Sequence, residues 1–209
     1  MTAAMPMRAT QDQTDLPRLV RGGVTLGLIQ SALVAAFAVL EVRLEGVAEL
    51  VVCGPILLAG IAVTIVLPGR WTRARTIEGI AGAAAIGLAA AWTFLVVDVV
   101  LFQPIHLYTN RWLEIGGGSN WWYHPVWWMV CTYMTWQGAW IQAHQAAKRG
   151  EPSPVLLVAG TVVLAAICLA VAVLIHVPNA AWGLGGLGVA VLPALALYTA
   201  LSALGVPRR

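Results

Sequence analysis

A single carboxylate, Asp98, interrupts the apolar run Leu95-Val96-Val97-Asp98-Val99-Val100-Leu101. A charge in such a run is costly in lipid and usually faces a cavity or a partner. Two readings follow. Asp98 is either a protonated or ion-paired structural residue, or part of a proton-transfer, ligand or metal site. His106, Glu114, His124 and His176 are the groups that could join it, and Arg43 and Arg111 are its expected ion partners. Asp98 with Glu114 or His124 would do acid–base work, which makes Asp98, His124 and Glu114 the candidate catalytic residues. Asp and His also suit a transition metal, but their spacing here matches no metal signature, so no metal ligand is assigned. A b-type haem wants two histidines at one depth, and His124 and His144 would lie about 30 Å apart on one helix. The residues name no cofactor.

Beside these groups stands an aromatic cluster. Seven of the ten tryptophans fall between Trp112 and Trp140, crowded around Asn120-Trp121-Trp122-Tyr123-His124-Pro125-Val126-Trp127-Trp128. Trp has a large apolar ring and one N–H that wants a partner. Such rings collect at a membrane boundary or wall a site for a flat or apolar ligand. A belt spreads over all helices, whereas this cluster is confined to one loop and one helix. The candidate ligand-contacting residues are Trp121, Trp122, Tyr123, Trp127, Trp128, Thr132, Thr135, His106 and His176. At about 100° per residue, Thr132, Thr135 and Gln142 share one side of a helix. That side should face the bundle or a polar cavity, unless the hydroxyls bond back to their own helix. Tyr133, Trp136, Gln137, Trp140 and His144 form another side, and Trp136 and Trp140 are expected to face lipid or a partner subunit.

The elements that must position these residues are membrane helices. The 209 residues are 60% apolar and 10% charged, with mean hydropathy +0.82. Soluble domains carry about 25% charged residues. A bilayer core of about 30 Å needs about 20 apolar residues as helix. Six segments qualify, approximately 22–42, 49–68, 78–102, 124–146, 154–176 and 183–204. No barrel-type alternation is present, and helices then satisfy the backbone in lipid. The expected fold class is an all-α integral membrane protein of six transmembrane helices. It divides into a polar tail over 1–21, a bundle over 22–204 and a short tail over 205–209, with the first helix uncleaved.

Charge sets the orientation. Arg8, Arg18, Arg21, Arg70, Arg73, Arg75, Lys148, Arg149, Arg208 and Arg209 fall on one side of that topology, and Arg43 and Arg111 on the other. The positive-inside rule puts both termini in the cytoplasm of a multi-pass protein, expected in a bacterial inner (plasma) membrane. Asp98, His106, Glu114, His124 and His176 then gather on the outer face, with one longer outer loop at about 103–123. Small residues in spans three and six, including Gly185 and Gly188, should let helices approach closely. Cys53, Cys131 and Cys168 lie in apolar runs and read as packing residues. A net charge of +3, scattered along the chain, argues against a nucleic-acid partner.

Three functions remain open. The chain would be an integral-membrane enzyme acting by acid–base chemistry on a lipid-soluble, isoprenoid- or quinone-like substrate. Alternatively it would be a non-catalytic subunit of a larger respiratory or photosynthetic complex, contacting partner subunits, pigment or quinone. A small-solute transporter has less support, because no internal repeat is visible.

Overall fold

The structure is a computed structural model that describes residues 13–107 and 123–205, with Tyr123 described in its backbone only. The described residues form six helices and no strand: α1 (Leu16–Glu41), α2 (Val47–Trp71), α3 (Ile77–Val97), α4 (Tyr123–Arg149), α5 (Pro154–Leu174) and α6 (Leu184–Ala203). Asp98–Phe102 extends α3 by one π-helical turn. The fold is an all-α membrane bundle. Helix α1 begins at Leu16 rather than at 22, because Asp15 takes the N-cap position and Pro17 falls in the first turn, where its missing N–H is harmless.

Five helices are long and apolar enough to cross a membrane, and α4 is the exception. It is the longest, at 27 residues, yet it carries Gln137, Gln142, His144 and Gln145 in its second half. Its environment explains this. Helix α4 packs against α3 on one side, α2 on another and α6 on a third. Two apolar cores flank it. One joins Leu26, Ile86 and Ala90 to Cys131, and the other joins Ile65, Leu157, Val191 and Leu195 to Ile141. A helix wrapped by others can carry polar groups that lipid would reject, provided each finds a partner.

Those partners come from both sides of the helix. Gln142 Nε2 donates to the carbonyls of Ile65 at 3.1 Å and Val66 at 3.2 Å on α2. The opposite side, expected to face outward, is largely turned onto α6. The Tyr133 hydroxyl donates to the Leu192 carbonyl at 2.9 Å, the Thr199 hydroxyl donates to Gln137 Oε1, and His144 Nδ1 lies 2.7 Å from Ser202 Oγ. The expectation that this side meets lipid or a partner therefore holds only for its edge, where Trp136 is 41% exposed. Its other polar members are tied to α6 because lipid would leave them unsatisfied.

One close approach fixes α4 against α2. A Cβ at Gly138 would stand 2.1 Å from the Ile65 carbonyl oxygen, so only glycine lets the two backbones meet. On α6, Gly186 makes the expected close approach, since a Cβ there would stand 2.2 Å from the Ala181 carbonyl oxygen and 3.0 Å from Leu169 of α5, whereas Gly185 and Gly188 do not. A Cβ at Gly185 would meet no heavy atom within 4 Å, and one at Gly188 would meet only Leu57 at 3.9 Å. These last two glycines do not form a tight seam, since α6 docks through Ala190, Val191, Ala194 and Leu195 instead.

The alternating course of the chain gathers Arg18, Arg21, Arg70, Arg73, Arg75, Lys148 and Arg149 at one end of the bundle. Arg43 lies at the other, with Asp98 and His124. Gly138→Val should lower stability by about 2 kcal/mol or more, as overpacking forces α2 from α4. Gly185→Ala should stay within about 0.5 kcal/mol of the parent. Thermal unfolding of the purified protein in mild detergent measures both.

Candidate acid–base site

The site is built where α3 ends against the start of α4. Successive contacts place Gly87 beside Thr135 and Cys131, Phe94 beside Trp127, and Asp98 beside His124, so the two helices run antiparallel. The π turn then decides which side chains face α4. Gln103 N donates to the Asp98 carbonyl at 2.9 Å, five residues back, which widens the turn and slows the rotation of the chain. Phe102 returns to the same face as Phe94, both are buried, and their rings meet edge to face at 6.4 Å. Had the α-helix continued, Phe102 would have rotated away from this core.

Asp98 is wholly buried, at 0% exposure. Its Oδ2 accepts a 2.7 Å hydrogen bond from Gln103 Nε2 and lies 4.0 Å from His124 Nε2. His124 is partly exposed although its Nε2, which faces Asp98, is buried, so the pair joins a buried carboxyl to an imidazole that reaches the protein surface at another edge. The apolar wall is formed by Phe94, Leu95 and Phe102, with Val34 and Ala35 of α1 and Trp127 and Trp128 of α4 packed on it. Phe94 and Trp127 lie 5.2 Å apart, and Trp92 stacks on Trp128 at 4.9 Å with 22° between the ring planes. Trp92 is 54% exposed, so the stack closes the α3–α4 seam toward lipid.

Below the pair, α4 carries two further polar atoms. Trp128 Nε1 and Thr132 Oγ1 are buried and have no hydrogen-bond partner among the described residues. Thr135 is different: it is fully buried and its hydroxyl donates to the Thr132 carbonyl at 3.0 Å, so it is satisfied within its own helix. Deeper still, Gln30 Nε2 donates to Thr64 Oγ1 at 3.0 Å and lies 3.4 Å from Cys131 Sγ, tying α1, α2 and α4 together.

The structure thus brings together Asp98, His124, Trp127 and Trp128, with Thr132 and Thr135 further along the same helix. It does not bring His106 or His176 against the Asp98–His124 pair. Both are exposed and both hold left-handed backbone, at φ 51° and φ 58°, in the turns after α3 and α5. Arg43 is exposed at the α1–α2 connection. Glu114, Arg111, Trp121 and Trp122, and the side chain of Tyr123, lie outside the described residues. Residue types and spacing do not single out Gln103, Phe94 or Phe102. Gln103 directly precedes Pro104, a position that reads as a helix end, and the π turn that aims it carries no sequence signature. No group of three or more His, Cys, Asp or Glu side chains able to hold a metal ion occurs among the described residues.

No protein family, curated protein or solved structure matches the chain. The chemistry of the site therefore rests on its own residues. Gln103→Leu should destabilise the protein by about 1–2 kcal/mol, because it removes a hydrogen-bond donor from a buried carboxyl. Ser202→Ala, which removes the partner of His144 at the far end of the bundle, should leave the Asp98–His124 geometry unchanged. Unfolding curves, with NMR of labelled histidine, distinguish the two effects.

Proposed function

We propose that this membrane bundle binds a lipid-soluble, quinone- or isoprenoid-like substrate at its outer end and acts on it by acid–base chemistry. The observation that carries this reading is the buried Asp98 carboxyl 4.0 Å from a partly exposed His124, walled by Phe94, Phe102 and Trp127. A carboxyl and an imidazole at that distance form a proton donor and acceptor set. Gln103 orients the carboxyl from the other side. The aromatic rings offer faces for a flat or unsaturated chain arriving from the membrane. Trp128 Nε1 and Thr132 Oγ1 supply a donor and an acceptor for a polar head group. The positive-inside rule supports an orientation with the basic end in the cytoplasm and this site on the outer side.

Binding can be tested before any reaction is known. The protein in nanodiscs is titrated with a short-chain quinone and, separately, with an isoprenyl alcohol, following tryptophan fluorescence. Saturable quenching by either is the expected result. Asp98→Asn and His124→Gln should each weaken it about tenfold, roughly 1.4 kcal/mol, with little change in the unfolding temperature. Quenching that is absent, or unchanged from the parent in both variants, overturns the proposal.

A second reading has one observation in its favour. Val126, Met129 and Trp136 form a single outward stripe on α4, the helix otherwise enclosed by its neighbours. Such a stripe suits a partner subunit of a larger membrane complex. Mild extraction and native electrophoresis test it, since a lone stable particle excludes an obligate partner.

A further inference from the structure

An open groove of about 660 Å³ runs between α2 and α5, lined only by apolar side chains, among them Ala62, Val63, Val66, Val158, Ala159 and Val162. It exists because α5 leans on α6 and only lightly touches α2 and α4. Its position relative to the charges is what matters. Val63, Val66 and Leu67 stand seven, four and three residues before Arg70, so all lie on one face of α2. Arg70 is exposed and sits one turn beyond the last lining residue, at the basic end of the bundle.

We propose that this groove binds one acyl chain of an anionic phospholipid, drawn from the leaflet at the basic end, with Arg70 holding the phosphate. Length supports the assignment. From Ala62 to Arg70 the helix rises about 12 Å, close to half of a ~30 Å hydrocarbon core. The groove is therefore one leaflet deep, with its cation where a head group would lie. Arginine suits a phosphate because its planar fork presents paired donors. Arg149 ends α4 in the same basic layer, and Lys148 is already bonded to the Leu204 carbonyl. A second copy of the chain is a poorer occupant. Two-fold packing on this face would set like-charged Arg70 residues near each other.

The test is native mass spectrometry of the protein released from nanodiscs containing equal phosphatidylglycerol and phosphatidylcholine. The expected result is one retained lipid, enriched several-fold in phosphatidylglycerol. Arg70→Ala should abolish that enrichment, and Ala159→Phe, which fills the groove, should reduce retention of either lipid. Arg21→Ala, at the same end of the bundle on α1, should change neither. The proposal is overturned if the parent retains no lipid, if Arg70→Ala keeps the preference, or if Arg21→Ala loses it equally. Unfolding curves confirm that each variant is folded, and Ala159→Val offers a milder filling if the phenylalanine is not tolerated.

Discussion

The bundle is organised by the need to satisfy a polar helix where water is absent. Helix α4 brings three glutamines, two histidines and a set of hydroxyls into the middle of an otherwise apolar chain. Each unsatisfied group there would cost several kcal/mol in hydrocarbon. The other helices supply the partners: carbonyls of α2 for Gln142, hydroxyls of α6 for Gln137 and His144, and Tyr198 for Gln145. Lipid could supply none of these. The polarity of α4 therefore selects its central place, and the apolar helices follow as its cover.

That same constraint sets the register at the far end. The notch at Gly138 fixes how closely α4 lies on α2, and Gly87 does the same for α3, where a Cβ would stand 2.2 Å from Thr135 Oγ1. With both seams fixed, the first turn of α4 has little freedom in height. His124 is then held level with Asp98, and Trp127 level with Phe94. The carboxyl–imidazole pair is thus positioned by packing about three to four turns away, on rigid helices rather than on the connecting loop.

Much of this is legible in the sequence. Lengths of apolar runs locate the helices to within about three residues, except the start of α1, because a lipid-facing helix must be apolar along its whole span; α4, the more polar helix, is the one to which that reason does not apply. Asp98 stands out because it interrupts an apolar run, although its partner Gln103 lies only five residues on and is brought to it by the π turn. What stays hidden depends on neighbours. Helical periodicity separates the faces of α4 but does not say which helix meets which face, so Gln137 and His144 could not be paired with Thr199 and Ser202. Nor does it reveal the π turn, which leaves no signature in residue type yet carries Phe102 inward. His106 and His176 share an end of the bundle with Asp98, but lying at one depth does not make residues neighbours. Their left-handed turns hold them at the surface.

The two halves of α4 differ in how completely they are satisfied, and this bears on where a ligand would act. In the half nearer the basic end, Gln137, Gln142, His144 and Gln145 all meet partners on other helices. In the other half, Trp128 Nε1 and Thr132 Oγ1 are buried without one among the described residues. Neither mismatch is forced by the fold, since a phenylalanine and a valine would fill similar space with no polar atom. Retaining a donor and an acceptor there has a stability cost that the satisfied half avoids. A molecule bearing a polar head group beside a flat apolar body would remove that cost on binding. It would enter next to the one carboxyl–imidazole pair that the described helices hold at this end.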